Sequence, residues 1–381
     1  MPTGALNPFV PGRGVLPPYL AGREAEKRKL KGVLGYVEAG RGAPRDVVLS
    51  GPRGNGKTVL LRWFQGEVEQ LGGRIDVLWR TPSDLPSVDA LATSLVPPGR
   101  FKAMLPDSLS LSIGTGRVGW ELGDNLGTLS ELLTLRCRQR PLVVLLDEAH
   151  TLDTVVGQAL LNASQSVAAL APFLLVLAGT PGIAPQLNAM SATFWDRAEQ
   201  IGMGLLDESA AADALSRPFE AETPPTTFEA AALSRAVEAS QCYPYFVQLI
   251  GAALWDVAAA NGHGTIDGGV VAQAASAFDQ GRGTYYHHRH NELERAGLLD
   301  VASAIARAFG NRDQVTQAEV DAVIAGTRVI SGTTASQDEA IRIRDDLAAV
   351  GYVWNPPGEG HVWRPGIPSL MAHIGGLVPP T

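Results

Sequence analysis

The eight residues Gly51 to Thr58 read Gly-Pro-Arg-Gly-Asn-Gly-Lys-Thr, the spacing G-x-x-x-x-G-K-T. That pattern does one kind of chemistry: it cradles a chain of phosphates. Gly51, Gly54 and Gly56 are expected to let the backbone turn so that successive N–H groups point at phosphate oxygens. Lys57 is expected to reach the β- and γ-phosphates, and Thr58 to hold Mg²⁺ through its hydroxyl. Pro52, Arg53, Asn55 and Val59 belong to the same phosphate-binding stretch. The competing reading is a glycine-rich turn with an incidental Lys-Thr. The setting argues against it, because the apolar run Asp46–Ser50 predicts a strand and the amphipathic stretch Val59–Gln70 a helix. A helix starting near Lys57 adds its positive dipole end to the site.

A second apolar run, Leu142–Leu146, ends in Asp147 and Glu148. Ligands bind at the C-terminal ends of parallel strands. Asp147 sits where a carboxylate would help hold Mg²⁺, and Glu148 where one would polarise an attacking water. His150 completes the string Asp-Glu-Ala-His. A helicase reading of that string fails, because nothing downstream provides a second core. The next apolar run, Phe173–Ala178, leads into Gly179-Thr180-Pro181, and Thr180 is expected near the γ-phosphate, positioning water.

These sites need strands alternating with helices, and the chain supplies them. Arg74–Arg80 is a second expected strand and Ile201–Leu206 a fifth, with helices at Arg23–Val37, Leu129–Gln139 and Val155–Ala169. The segment 97–128 breaks the alternation, and 109–122 has the pattern of a β-hairpin around Gly114-Thr115-Gly116. The fold class expected is α/β: a P-loop parallel sheet over 1–206, a helical lid over 207–280, and a winged helix-turn-helix over 281–381. The wing would be Asn355–His361, and Ser336–Val350 the recognition helix.

The order of these parts resembles AAA+ ATPases, near the replication-initiator (origin-recognition) and STAND branches. It rests on the P-loop, the Asp-Glu strand, the Gly-Thr strand, Phe194-Trp195-Asp196-Arg197 before a fifth strand, a helical lid and a winged helix. The resemblance covers nearly the whole chain and implies hydrolysis of ATP with Mg²⁺. It assigns Arg23, in Ala21-Gly22-Arg23-Glu24, to the adenine side of the nucleotide. It assigns Arg197 to the arginine finger that reaches a neighbouring subunit's γ-phosphate, so a homo-oligomer is expected. Pro244, in Tyr243-Pro244-Tyr245-Phe246, resembles the Gly-x-Pro lid motif. One departure stands out: Pro244–Ala260 carries no basic residue, whereas many relatives have a lid arginine there. Nucleotide sensing then falls to backbone, packing or a residue elsewhere, which favours a slow switch over a fast motor.

Composition narrows the partners. The chain has 381 residues, a net charge of −8, 45% hydrophobic and 18% charged residues. That describes a folded protein and excludes a globally basic nucleic-acid coat. Cys137 and Cys242 lack metal-type spacing and suit a reducing compartment. Met1–Gly14 lacks the pattern of a secretory leader, and no apolar run is long enough to span a bilayer. A cytoplasmic protein without membrane contact is expected. From His288 to Thr381 there are eight arginines, no lysine and eleven acidic residues, a net of −3. Phosphate binding wants a basic face. The first expectation is therefore a nucleotide-dependent switch, loader or regulator acting on a partner protein. The alternative is a DNA-binding ATPase of initiator or transposition-regulator type, using the winged helix or the hairpin with Arg117 and Trp120. A structural nucleotide binder without turnover is disfavoured by Glu148.

Overall fold

The computed structural model describes residues 6–95, 126–223, 225–262, 264–309, 312–330 and 336–376. The hairpin expected at 109–122 lies outside the described residues. Five strands form the central sheet: β1 (Val47–Ser50), β2 (Asp76–Arg80), β3 (Leu142–Leu146), β4 (Phe173–Gly179) and β5 (Glu199–Gly202). Their order is β2-β3-β4-β1-β5, all parallel. β1, β3 and β4 are buried along their length, as continuous apolar runs in a parallel sheet must be, since helices cover both faces. Val47, Leu49, Val143 and Leu145 turn to one face, against helices Glu24–Glu38 and Lys57–Glu69. Val48, Val144 and Leu146 turn to the other, against Leu126–Gln139 and Thr154–Ala168.

β5 differs from the sequence expectation of Ile201–Leu206. It starts at Glu199, directly after the short helix Phe194–Arg197, and ends at Gly202. Its one neighbour among the described residues sets this length. β1 pairs with it from Val47↔Glu199 to Ser50↔Gly202, and then leaves the sheet at Gly51 to form the P-loop. One further bond, Met203 N–H to Ser50 O at 2.7 Å, closes the pairing.

Four helices follow: Glu208–Glu220, Ala230–Ser240, Pro244–Ala260 and Gly268–Arg295. Asp207 and Asp267 cap two of them by accepting backbone N–H groups, and Pro244 occupies a first-turn position where its missing N–H costs nothing. The fourth helix runs unbroken through Gln280. Beyond it lie helices Leu299–Phe309, Gln317–Ile330 and Gln337–Ala349 and a small antiparallel sheet, with a last helix at Leu370–Ile374. That sheet is built from Val315–Thr316, Val362–Pro365 and Val353–Trp354, in that order. The turn between its last two strands is closed by Asn355, whose Nδ2 donates to Gly360 O and Val362 O at 2.7 and 2.6 Å.

The four-helix segment and the C-terminal segment share one apolar cluster, in which Phe246 and Phe278 are continuous with Tyr286, Leu293, Ala302 and Leu347. Together they sit on the C-terminal ends of the strands. A methyl group placed at Gly182 would lie 2.9 Å from Ala349 Cβ, and one at Gly202 would lie 2.9 Å from Pro357 Cδ. The N-terminal segment also crosses to this unit: Phe9 packs on Phe219, and Asn7 Nδ2 donates to Ala252 O and Asp256 Oδ1.

Candidate nucleotide site

The loop from Gly51 to Gly56 joins β1 to the helix Lys57–Glu69. Gly54 (φ 80°) and Gly56 (φ 87°) take the left-handed backbone that side chains disfavour. Gly51 has a different reason for being glycine: a Cβ there would stand 2.4 Å from Met203 O. The loop is tied down on several sides. Asn55 is buried, and its Nδ2 donates to Met203 O at 2.7 Å. Arg23, with φ 70°, donates to Asn55 O at 3.3 Å and Gly204 O at 2.6 Å. Burial pulls the Arg23 guanidinium below its ordinary pKa against the pull of Glu26. From the start of helix Pro244–Ala260, the Tyr243 hydroxyl donates to Arg53 O and meets the Tyr285 hydroxyl at 2.9 Å.

A cleft of about 330 Å³ opens over this loop. Arg23, Arg53 through Val59, Glu148, Thr180 and Pro244 all line it. Gly51, Pro52, Asp147 and Arg197, also singled out by the sequence, are not among its lining residues. Lys57 Nζ donates to Gly51 O and Pro52 O at 2.7 and 2.8 Å. Desolvation lowers its pKa to about 8, with Arg53 adding to the effect and Glu148 and Asp147 opposing it. Thr58 Oγ1 donates to Asp147 Oδ2 at 2.8 Å, while the other Asp147 oxygen accepts from Glu148 N at 3.0 Å. Burial raises the Asp147 pKa despite these bonds. A part-buried hydroxyl–carboxylate pair at a phosphate site offers the hard oxygen donors that Mg²⁺ prefers, and a cation there would relieve the desolvated carboxylate. The residues present therefore fit that ion.

Glu148 is more than half exposed and holds a left-handed backbone, φ 55°. Such a conformation is uncommon outside glycine and often marks a functional position. Thr180 is almost fully buried, and its Oγ1 has no hydrogen-bond partner among the described residues. Arg197 behaves differently. It is exposed on the helix before β5 and is not among the residues lining the cleft.

Two further residues at the cleft or beside it were given no site role by the sequence reading. Arg289, on the helix Gly268–Arg295, lines the cleft. Its guanidinium lies 5.3 Å from the centre of the Tyr285 ring and pairs with Glu292 at 2.7 Å. No local pattern in Tyr-Tyr-His-His-Arg-His marks it, since only the tertiary fold brings this helix over the P-loop. His150 contacts Glu148 at 3.5 Å and Thr180 N at 3.4 Å. Its place two residues after the Asp-Glu pair was the available signal.

This combination of a glycine loop on a helix N-terminus, a lysine, a hydroxyl–carboxylate pair and a second acid beside that carboxylate is the arrangement of a P-loop ATPase. Residues 19–177 match the AAA ATPase domain family. A Walker-type ATPase of Pyrococcus abyssi is similar along 98% of this chain and 99% of its own, at 18% identity and a TM-score of 0.57. The ORC2 protein of Aeropyrum pernix, solved with ADPNP and ADP, is similar over 96% of both chains, at 14% identity and a TM-score of 0.58. A RuvB of Thermotoga maritima is similar over 94% of this chain and 96% of its own, at 18% identity and a TM-score of 0.50. These likenesses are of fold. A comparison with curated proteins finds no match. Among the described residues, no helix is long and apolar enough to cross a membrane.

Proposed function

We propose that this chain is an ATP-driven switch whose lid and C-terminal segment move as one body on the ATPase core and present a surface to a partner protein. The observation that carries this reading is the shared apolar cluster. It welds the lid, which touches the P-loop through Tyr243 and lines the cleft with Arg289, to the segment seated on the strand ends at Gly182 and Gly202. A change at the phosphates is then felt by the whole unit.

In the hydrolytic cycle, Lys57 and the P-loop N–H groups hold the β- and γ-phosphates. Thr58 and Asp147 would hold Mg²⁺, which when bound neutralises phosphate charge. Glu148 takes a proton from the water that attacks the γ-phosphorus as ADP departs. Thr180 offers its hydroxyl to that water. Arg23 ties the N-terminal segment to the nucleotide's other side, and Pro244 starts the helix that closes over it. Arg289 supplies from an unexpected helix the cation that Pro244–Ala260 lacks. Arg197, exposed and outside the cleft, completes the site of a neighbouring copy, so turnover requires a homo-oligomer, formed by a head-to-tail contact.

Duplex DNA is the weaker partner. Of the three arginines on the expected recognition helix and the strand after the wing, Arg344 is buried in an ion pair with Asp321 at 2.6 Å and lies over Trp363. Arg364 pairs with Glu359 at 2.6 Å, leaving Arg342. Helix Gln337–Ala349 also meets the core at Gly182.

The test compares wild type with ADP and the Glu148→Gln variant with ATP and Mg²⁺. The variant should bind ATP, turn over poorly and give a different small-angle scattering profile from the ADP form. Lys57→Ala should bind neither nucleotide. Identical scattering in the ATP and ADP states would sink the switch, and full turnover in Glu148→Gln would sink the hydrolytic scheme.

A further inference from the structure

The general-base role given to Glu148 leaves a physical gap. An exposed glutamate on a loop samples several rotamers, whereas proton abstraction needs its carboxylate within hydrogen-bond reach of one water. Backbone strain at Glu148 aims Cβ but leaves the outer torsions free. Something must hold the carboxylate itself.

His150 stands in the right place. It lies on the single helical turn Ala149–Thr151 just after Glu148, wedged against the end of β4. A Cβ at Gly179 would be 3.3 Å from His150 Cβ, so glycine at that point lets the ring approach. One ring nitrogen, Nδ1, is 3.4 Å from the Thr180 backbone N. The other, Nε2, is 3.5 Å from Glu148 Oε2. The imidazole side chain is 10% exposed, against 54% for Glu148.

These contacts settle the tautomer. A backbone N–H can only donate, so Nδ1 must be the acceptor, and the ring's hydrogen sits on Nε2. That nitrogen is the one 3.5 Å from the Glu148 carboxylate. Burial, with Arg53 and Lys57 nearby and Asp147 opposing, also pushes the imidazole pKa down to about 4, in keeping with a neutral ring. Both contacts are long for hydrogen bonds, as catalytic ones often are before the substrate tightens them.

We propose that His150 is a positioning residue for ATP hydrolysis: its Nε2–H holds the Glu148 carboxylate at the cleft, and the Thr180 N–H fixes the ring that does so. The chain of contacts joins the ends of β3 and β4. It makes Glu148 respond to the position of Thr180, a residue of the same cleft.

This inference rests on Glu148 acting as the base, and the experiment separates the two. ATP turnover and ATP affinity are measured for the full chain and for His150→Ala, His150→Gln, Glu148→Gln and the double variant His150→Ala/Glu148→Gln. Loss of positioning should cost His150→Ala about 10- to 100-fold in kcat, with ATP affinity changed by less than about threefold. His150→Gln, whose amide N–H can reach the same carboxylate, should recover most of the loss. In the Glu148→Gln background, single-turnover hydrolysis should not fall further when His150 is removed. Unchanged kcat in His150→Ala overturns the proposal. So does a parallel loss of ATP affinity, which marks a structural role, or the same fold loss in the Glu148→Gln background. If Glu148→Gln alone keeps full turnover, the failure belongs to the hydrolytic scheme instead.

Discussion

Gly202→Ala should loosen the C-terminal segment from the ATPase core. The new methyl would stand 2.9 Å from Pro357 Cδ, whereas carbon atoms rest at about 3.5–4.0 Å. A proline ring has no rotamer by which to retreat, so the turn or the whole segment must shift. Overpacking of this kind costs about 1–3 kcal/mol. Charged to the docked state alone, that moves the docked-to-undocked ratio by about 5- to 150-fold. Gly182→Ala should do the same, since its methyl would meet Ala349 Cβ at 2.9 Å. The two should add less than their sum, because they open one interface. Gly32→Ala is the control: its methyl would meet nothing within 4 Å. Small-angle scattering in the ADP state should show a larger radius of gyration for Gly182→Ala and Gly202→Ala, and light scattering with ATP a shift toward larger assemblies. If Gly202→Ala melts earlier than the control yet scatters identically, the strain has been absorbed locally. The idea of one mobile lid and C-terminal body is then wrong.

Arg289→Ala should weaken ATP and ADP binding by about 10- to 100-fold, the worth of a hydrogen bond to a charged group. Calorimetric titration checks it, and unchanged affinity would remove Arg289 from the site. Arg197→Ala should lose about 10³-fold in turnover if it acts as an arginine finger. Mixing it with Lys57→Ala should restore part of the activity, and a mixture as inactive as its components would argue against a shared site. Asp46 gives a pH test of stability. Burial holds its pKa up at about 6, outweighing the bonds from Ser164 and Leu175 N. The folded state thus carries the extra proton between about pH 4 and 6, so this group's contribution falls by about 3 kcal/mol as pH rises through that window. Asp46→Asn should flatten that slope in urea midpoints relative to wild type, and parallel profiles would refute the assignment.

What the sequence disclosed was chemistry carried by contiguous residues. The P-loop and the Asp147–Glu148 pair each lie on one strand and the turn after it, so their spacing survives in the linear chain. The buried parallel strands were equally plain, because a strand covered on both faces has to be apolar throughout. What stayed hidden depends on a partner. β5 stops at Gly202 because β1 departs at Gly51, a limit imposed by another strand. Arg344, legible only as a charge on a recognition helix, is spent on Asp321 and Trp363.

The helix Gly268–Arg295 shows the limit most clearly. Its Tyr-Tyr-His-His-Arg-His stretch reads as a solvated or interdomain helix in preference to a metal cluster. Consecutive residues on a helix point about 100° apart, and here that angle separates two jobs. Tyr285 turns to the P-loop, bonding Tyr243, whose hydroxyl also donates to Arg53 O, and Arg289 follows it into the cleft one turn later. Tyr286 turns the other way and donates to Pro368 O at 3.2 Å in the C-terminal segment. A single turn of helix thus touches both the phosphate loop and the segment seated on the strand ends. Rotation of that turn cannot move one contact without disturbing the other, and this gives the lid and C-terminal segment a physical reason to answer to nucleotide together.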